Sequence, residues 1–360
     1  MVSWPIYVVL LATMASDPEI ATVAGTGIAG DSGDGGPAVT ARLDQPFDVA
    51  FDRQGNVFLT DTFNHRIRRI DGATGKIATV AGTGKSGFTG DGGPAVMAQL
   101  NEPYGIAVDQ PGNLYFADRL NRRVRRVEAR TGLIATVAGN GTKVFAGDGG
   151  AATDAGLVEP NGVALARDGH WLLIADVAGH RIRRVDLASG RISTFAGTGN
   201  GRHEGDGGLA ANASIWGARA VDVGRDGSVY ILEREGNRLR VVSPDTGIIS
   251  TIAGTAAKGY SGDGGRAGLA LFNGPKELAV DPTGNIWVVD TENHAIRSID
   301  AATKQIRTVA GTGRPGSEGD GGPATKARLD RPHGVAIGPD GSIWIADTNN
   351  HRIRRVASAR

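Results

Sequence analysis

Six copies of one unit of about 57 residues predict an all-β fold, a six-bladed β-propeller built from four-stranded antiparallel blades. Because such units bury their cores only against one another, we expect one closed domain over residues 20–360. Two motifs mark each copy. The first is Gly-Asp-Gly-Gly, with its aspartate at Asp34, Asp91, Asp148, Asp206, Asp263 and Asp320. The second opens with an acidic residue at Asp61, Asp118, Asp176, Glu233, Asp290 and Asp347.

Each unit contains four short apolar segments separated by turn residues. In the second unit these segments are 104–109, 114–117, 123–127 and 133–138. Short β-rich segments between Gly, Asn and Asp residues are typical of strands joined by hairpin turns. Apolar residues on both faces fit a sheet that lies between two others, as a blade does in a propeller. Helical periodicity is confined to residues 37–43 and their equivalents, at most about two turns.

The two ends of the chain predict how the ring closes. Residues 20–25 form a fourth strand with no first three strands before it, and residues 333–356 supply three strands with no fourth after them. We expect these two pieces to pair and complete one blade. Pairing would remove a free sheet edge and couple both ends of the domain to its stability.

The second motif resembles the NHL repeat, named after Asn-His-Leu. It reads Asn-His-Arg at Asn64 and Asn350, and Asn-His-Ala at Asn293. The added Gly-Asp-Gly-Gly segment is similar to the extended repeat of exported bacterial NHL propellers. The resemblance covers roughly residues 20–357. It implies a six-bladed propeller that is secreted or periplasmic. It leaves the function open, since relatives bind proteins, RNA or small molecules and some six-bladed cousins are enzymes.

Residues 1–19 differ from the rest of the chain. A short apolar segment, 6–12, is followed by small residues, and it is too short to span a membrane. An export signal cleaved after about Ala15 fits this pattern, although no basic residue precedes the segment. The alternative is a disordered leader or an edge strand.

The composition narrows the classes of partner. The formal net charge is +1, from 39 basic and 38 acidic residues, so no overall field attracts nucleic acid, and we expect no nucleic-acid partner. The chain has no Cys and therefore no disulfide. The string Gly25-Thr26-Gly27-Ile28-Ala29-Gly30 fits a dinucleotide fingerprint, but the helix that such a site needs is missing. We expect no cofactor, no membrane span and a monomer.

The repeated polar residues favour structural roles. Each loop aspartate offers one carboxylate, too few for calcium, and a turn aspartate usually bonds its own backbone. We therefore expect no metal site. We also expect turn roles for the motif histidines, which lie one per blade. The arginines that follow this position should bond carbonyl groups or loop aspartates. These histidines are His65, His180, His294 and His351, and the arginines are Arg66, Arg123, Arg181, Arg238 and Arg352.

One position at the start of the innermost strand differs in every unit. It follows a proline in five units and Ala218 in the fourth. We call its occupants the variable ring. They are Phe47, Tyr104, Asn161, Arg219, Lys276 and His333.

The meander topology places the variable ring at the channel mouth, on the face that carries the Gly-Asp-Gly-Gly loops and the Asn-His-Arg turns. We call this face the loop-rich face. Variable residues on a rigid frame are candidates for binding, and ordinary drift is the alternative.

The chemistry of the variable ring predicts an anionic or polar ligand. Arg219, Lys276 and His333 form a basic arc on consecutive blades, and Phe47 and Tyr104 offer stacking surface opposite. Trp216 lies near the fourth position and is a further candidate. Asp48 and Glu277 follow the ring on the blades that flank His333, so we expect them to favour protonated His333.

Two classes of function remain open. The first is a binding module that engages a small ligand or a protein partner through the loop-rich face. The second is a hydrolase, lactonase or lyase-type enzyme that acts on an anionic or polar small molecule at the channel mouth. In that case His333 would be the acid or base, with Asp48 or Glu277 as its carboxylate partner. A metal-dependent lactonase would instead use Glu277, Asn161 and Asp48.

Overall fold

The computed structural model describes residues 17–358 and confirms the six-bladed propeller. Six antiparallel sheets form a ring, and the innermost strand of each blade contacts the innermost strands of both neighbours. The predicted export signal lies outside the described residues. Within residues 17–358 no helix has the length and hydrophobicity needed to cross a membrane.

Each blade has four strands that run from the channel to the outer edge. Blade 1 contains β2 (Pro46–Phe51), β3 (Val57–Asp61), β4 (Arg66–Ile70) and β5 (Ile77–Ala81). Blade 2 contains β6 (Pro103–Val108), β7 (Leu114–Asp118), β8 (Arg123–Val127) and β9 (Ile134–Ala138). Blade 3 contains β10 (Pro160–Leu165), β11 (Trp171–Asp176), β12 (Arg181–Asp186) and β13 (Ile192–Ala196).

The remaining blades repeat this arrangement. Blade 4 contains β14 (Ala218–Val223), β15 (Val229–Glu233), β16 (Arg238–Val242) and β17 (Ile249–Ala253). Blade 5 contains β18 (Glu277–Val280), β19 (Ile286–Asp290), β20 (Ala295–Ile299) and β21 (Ile306–Ala310). Blade 6 contains β23 (Gly334–Ile337), β24 (Ile343–Asp347), β25 (Arg352–Val356) and β1 (Glu19–Ala24), with the short β22 (Gly322–Pro323) outside β1.

Short 3-10 turns complete the connections. Where helical periodicity was predicted, one turn of three residues forms in each outer loop: Ala38–Thr40, Ala95–Met97, Ala152–Asp154, Ala210–Asn212, Ala267–Leu269 and Ala324–Lys326. Four further turns join the second and third strands of their blades: Thr62–Asn64, Arg119–Asn121, Thr291–Asn293 and Thr348–Asn350.

The core lies between the blades. All five residues of β7 are buried, because one face of the strand packs on blade 1 and the other on blade 3. The apolar cluster that contains Phe116 also contains Phe58 of blade 1, and the cluster that contains Tyr115 also contains Ile174 of blade 3. Strands with two apolar faces are thus explained by burial on both sides.

Closure of the ring follows the predicted pairing. β1 pairs antiparallel with β25, with Ile20 opposite Val356 and Thr22 opposite Arg354. β22 covers the outer edge of β1. The last blade therefore joins the two ends of the described chain, as the sequence predicts.

The loop aspartates do not act as we expected. Asp34 accepts a 2.6 Å bond from Nη2 of Arg68 and a 3.0 Å bond from the backbone of Thr79, rather than capping its own turn. Nη1 of the same guanidinium lies 3.4 Å from Asp61.

Each blade has a fully buried arginine at the position of Arg68: Arg68, Arg125, Arg183, Arg240, Arg297 and Arg354. The partner of the loop aspartate is thus the arginine two positions after the predicted one. Arg66 itself bonds the carbonyl of Thr83, as predicted, and Asp31.

The motif histidines act as turn residues, as predicted. His65 ends a 3-10 turn in the left-handed conformation, with φ of 51°. Its Nδ1 accepts a 3.2 Å bond from the backbone N–H of Glu102 on the next blade. In blade 4, Asn237 takes this place, and its side-chain oxygen accepts from Gly274 at 2.8 Å. These residues therefore link neighbouring blades.

Candidate functional site

The variable ring comes together at one end of the channel. Phe47 stacks on Tyr104 with 4.3 Å between ring centroids and an interplanar angle of 22°. The His333 ring lies 4.1 Å from Phe47 on the other side. The guanidinium of Arg219 lies over Tyr104, 5.1 Å from the ring centroid. The aromatic and basic residues predicted from the sequence are thus in direct contact. His333 contacts Phe47 on the neighbouring blade, and Arg219 reaches Tyr104 two blades away.

Two further hydrogen bonds complete this cluster. Nη1 of Arg219 donates to Oδ1 of Asn161 at 2.7 Å. Nδ1 of His333 lies 2.9 Å from the carbonyl oxygen of Arg331, which only accepts, so Nδ1 carries the proton. Nε2 of His333 is then the acceptor for the Lys276 amine at 2.8 Å. All of these ring members except Tyr104 are buried, and together they close the channel on this side.

Burial sets the charge state of the basic arc. Burial, and after it nearby Arg219, lower the pKa of Lys276 from 10.5 to about 7, although Glu292 at 3.5 Å opposes the shift. Burial, Lys276 and Arg219 hold the pKa of His333 well below its usual value of 6.5. Our expectation that Asp48 and Glu277 favour protonated His333 is therefore wrong. The cations of the arc lie nearer to His333 and favour its neutral form.

Exposed side chains surround the variable ring on the loop-rich face. Phe63 lies edge-on to Phe47, with 6.2 Å between centroids, and its side chain is 38% exposed. Trp216 is 42% exposed and adjoins the turn between β15 and β16 through a backbone bond from Gly236. Trp216 is therefore at the surface of this face and outside the bonded cluster.

Arg119 covers Tyr104 and ties two blades together. Its guanidinium lies 4.7 Å from the Tyr104 centroid. It bonds Glu102 at 2.7 Å and Glu159 at 2.8 Å. The sequence analysis did not single out this arginine. The turn position that it occupies is Thr in three blades, so a break in the repeat was available as a signal.

Below the variable ring lies a cavity of about 760 Å³, which we call the central cavity. Its wall starts at the level of Asp48 and Glu277 and follows the innermost strands. It ends at the turns between first and second strands, where Arg53 and Arg225 are exposed. The cavity therefore opens on the face opposite the loop-rich face, which we call the turn face.

Asp48 and Glu277 belong to this cavity and not to the histidine. Asp48 accepts bonds from the backbone N–H groups of Ile106 at 2.9 Å and Val49 at 2.8 Å. Glu277 accepts from the N–H of Leu278 at 3.1 Å. Burial raises the pKa of Asp48 to about 7 and raises that of Glu277 well above its usual value. The three residues considered for catalysis are thus divided between two environments.

The sequence analysis missed a third carboxylate, Asp222. It accepts from the backbone N–H groups of Val280 and Val223, each at 2.7 Å, and it lines the central cavity. Burial raises its pKa to about 6. The signal was present in the sequence, because the equivalent residue is alanine in the other five blades: Ala50, Ala107, Ala164, Ala279 and Ala336.

Among residues 17–358, no group of three or more His, Asp or Glu side chains is arranged to hold a metal ion. The residues named for a metal-dependent lactonase are not brought together. Asn161 is bonded to Arg219 in the variable ring, while Asp48 and Glu277 lie in the cavity wall.

The fold and the channel define the class of protein, a six-bladed β-propeller whose channel is closed at one end by the variable ring. Residues 272–297 and 329–356 match the family of the NHL repeat, and residues 84–146 match the teneurin NHL domain. The chain thus contains NHL repeats, arranged in a six-bladed β-propeller.

Relatives share this domain in longer proteins. The chain is 29% identical over 328 residues to the chloroplastic protein SUPPRESSOR OF QUENCHING 1 of Arabidopsis thaliana, which covers 88% of this chain and 30% of that protein. It is 28% identical to NHL repeat-containing protein 2 of Bos taurus, covering 71% of this chain and 39% of that protein. The chain thus spans less than half the length of these relatives.

A solved structure has a similar fold. It is an auxiliary nutrient binding protein from Bacteroides thetaiotaomicron, with a TM-score of 0.68 and 16% identity over 95% of this chain and 76% of that chain. At this identity the likeness shows the fold alone.

Proposed function

We propose that this protein is a binding propeller that engages a protein partner through its loop-rich face. The observation that carries the proposal is the arrangement at the centre of this face. Six residues that break the repeat form one buried, bonded cluster, and exposed Phe63 stands edge-on to its aromatic half. A rigid base under exposed aromatic side chains reduces the entropy lost on binding.

The composition of the face supports a macromolecular partner. Exposed Phe63, Leu120 and Trp216 supply apolar surface, and aromatic residues are frequent hot spots in interfaces. Arg119 and Arg331 are held by glutamates from neighbouring blades, and such fixed arginines can bond carboxylates or carbonyls of a partner. Since the variable ring closes the channel here, a small anionic ligand would find Arg219 and Lys276 buried and already bonded.

The enzyme alternative gains less support. His333 is held neutral between Lys276 and the carbonyl of Arg331, and its candidate carboxylate partners bond backbone N–H groups on the cavity side. A hydrolase or lyase acting at the channel mouth would need His333 to exchange a proton with a substrate. Its ring nitrogens are both occupied.

Binding assays with surface variants test the proposal. Phe63→Ser with Trp216→Ser removes the two exposed aromatic groups of the loop-rich face and leaves all six residues of the variable ring unchanged. Ile248→Ser is the matched control, because Ile248 is exposed to the same extent but lies in the turn between β16 and β17, which the meander places on the turn face. We expect the double variant to lose a partner that the parent and the control both retain in affinity capture from the native host, at least tenfold in a titration with the purified partner.

Capture of the same proteins by all three forms would contradict the proposal. A small anionic molecule released on denaturing the parent, but absent from Arg219→Ala and Lys276→Ala, would instead return the site to the variable ring and favour the small-ligand alternative.

Export of this protein is a separate part of the proposal. It rests on the apolar segment 6–12 and on the resemblance to exported propellers. Mass spectrometry of the protein from its native host should find an N-terminus close to Ser16. An intact Met1 would contradict it.

A further inference from the structure

The central cavity contains charges that the repeat does not need. Asp222 stands where five blades have alanine, and Asp48 and Glu277 stand where the other blades have glycine or alanine: Gly105, Gly162, Ala220 and Gly334. The blades with small residues form the same strands, so the acids are not required by the fold. A residue that breaks a local rule at a cost in stability is usually there for function.

These three carboxylates lack cationic partners. Among residues 17–358, no Lys, Arg or His nitrogen lies within 4.0 Å of their oxygens. Asp48 is only 8% exposed, faces the cavity and is bonded solely to backbone N–H groups. Arg219 lies above the carboxylates and Arg167 lies towards the mouth, and both act on them only at longer range. A buried carboxylate without a counter-ion is costly, so an arriving cation is strongly favoured.

Positively charged side chains, opposite in sign to the three carboxylates, surround the mouth of the cavity. Arg53, Arg167 and Arg225 occupy the same turn position on blades 1, 3 and 4, and all three are exposed. None of them is ion-paired with a carboxylate of residues 17–358. The other acids of the wall, Asp52 and Asp109, cap their own turns. From Asp222 to Arg225 the chain advances by three residues, the last two in the turn after β14, and it spans at most about 10 Å.

We propose that the central cavity binds a small zwitterionic molecule. Its protonated amine lies among Asp48, Asp222 and Glu277, and its carboxylate or phosphate lies at the mouth among Arg53, Arg167 and Arg225. The cavity volume of about 760 Å³ suits a molecule of metabolite size. This site is on the turn face, so it does not depend on the proposed partner of the loop-rich face.

Each end of the ligand has a defined role. The single positive charge of the amine offsets part of the negative charge of the three acids, and the amine donates hydrogen bonds to the oxygen lone pairs that backbone N–H groups leave free. The anionic end bonds guanidinium groups that are exposed and mobile, and it therefore contributes less to affinity than the enclosed end. The distance between the two charged levels selects the length of the ligand.

Calorimetric titration with simple probes tests the proposal. The probes are unbranched ω-amino acids from γ-aminobutyrate to ω-aminododecanoate, with octylamine and octanoate as single-charge controls. We expect one chain length near ω-aminooctanoate to bind best, octylamine to bind more weakly and octanoate to bind weakest. Asp222→Ala should weaken the best probe about tenfold or more, which is the usual effect of losing a charge-assisted bond. Arg225→Ala should weaken it less.

Two controls separate this result from a general loss of structure. Asp222→Ala places the residue of the other five blades at this position, so the blade is expected to form. Asp154→Ala removes an exposed carboxylate outside the cavity and should leave the affinity unchanged. Circular dichroism spectra like that of the parent, with a cooperative thermal melt, check that both variants fold.

Proton release gives a second readout. Since burial raises the pKa of Asp222 to about 6 and of Asp48 to about 7, both hold protons part of the time near pH 6.5, and an arriving cation displaces them. Titrations at pH 6.5 in two buffers of different ionisation enthalpy should show protons released by the parent and fewer by Asp222→Ala. The proposal is overturned if no probe binds, if octylamine binds as tightly as every amino acid, or if Asp222→Ala binds like the parent.

Discussion

The amine of Lys276 lies 2.8 Å from Nε2 of His333 on the next blade, inside the buried variable ring. This contact joins two residues that are each cationic in water. The structure accommodates them because His333 is neutral and accepts the bond. The residues predicted as a basic arc therefore do not all act as hydrogen-bond donors, because Nε2 of His333 accepts the bond from Lys276.

Lys276→Met should stabilise the protein in a pH-dependent way. Burial lowers the pKa of Lys276 from 10.5 to about 7, so between these values the folded protein binds fewer protons than the unfolded chain. Its free energy of unfolding therefore rises with pH across this window, and the cost of the buried amine is fully present at pH 7 and below. A shift of one pKa unit corresponds to about 1.4 kcal/mol, so Lys276→Met should stabilise the protein at pH 7 by on the order of 2 kcal/mol after the lost bond to His333 is counted.

Thermal melts between pH 6 and pH 10.5 measure the effect of Lys276→Met, which should be largest at the acidic end. Lys85→Met, in an exposed loop, is the control and should show no trend. A constant difference between Lys276→Met and the parent at every pH would show that Lys276 titrates normally.

Arg125 and Arg123 should differ strongly although they lie two residues apart in β8. Arg125 is fully buried and bonds both Asp91 at 2.7 Å and Asp118 at 3.1 Å. Removing one partner of a buried ion pair costs about 3 to 5 kcal/mol, because the other charge stays buried. Arg123 is partly exposed and bonds carbonyl groups, so its loss should cost about 1 kcal/mol. Urea unfolding of Arg125→Ala and Arg123→Ala compares them, and equal midpoints would refute the structural role of the buried arginine.

Asp148→Asn tests the role of the loop aspartates. Asp148 accepts bonds of 2.7 Å from Arg183 and from Thr194, and its side chain is still 41% exposed. Exposure screens the lost charge, so we expect a loss of about 1 kcal/mol in the free energy of unfolding. Calcium should leave the melting temperature of both forms unchanged. A rise of many degrees with calcium in the parent alone would falsify this structural role.

The fold could be predicted because the six copies of the repeat can be aligned with one another within the one sequence. The nearly constant spacing of Asp34, Asp61 and their equivalents predicted the number of blades, and the lone strand at residues 20–25 predicted the closure. The partners of the loop aspartates were less predictable. Arg66 and Arg68 are equivalent in type and lie on the same face of β4, because side chains alternate along a strand, so only their depth in the blade separates buried Arg68 from half-buried Arg66. Arg68 could have been chosen, since it recurs in all six blades and Arg66 in five.

The positions of the site residues could be predicted from the sequence, but their burial and their contacts could not. Variation identified Phe47, Arg219 and His333, and the structure brings them together. Sequence spacing cannot show that their side chains fill the channel, because this depends on rotamers and on contacts across the ring. It also cannot show on which side of that closure Asp48 lies. The bond that the backbone N–H of Ile106 donates to Asp48 decides this, and it links two residues that are 58 positions apart on neighbouring blades.

Deletion of residues 1–24 should destabilise the whole domain. It removes β1, exposing the edges of β25 and β22 and the apolar side chains that pack on Ile20. We expect a much lower melting temperature or aggregation, since open strand edges pair with other chains. A deletion of residues 1–16 is the control, because it leaves β1 whole. If both truncated proteins melt together, the closure does not support stability.

Asp222→Ala should show the cost of the cavity carboxylates in the absence of ligand. Burial raises the pKa of Asp222 from 3.8 to about 6, so between these values the folded protein binds more protons than the unfolded chain. Its free energy of unfolding falls as pH rises through this window, and the cost is fully present above pH 6. The variant should therefore be more stable than the parent at pH 8, by on the order of 1 kcal/mol after the lost backbone bonds are counted, and no more stable near pH 4. Melts at both pH values measure this difference. A variant that is less stable at pH 8 would mean that Asp222 serves the fold, which would remove the reason to assign it to a ligand.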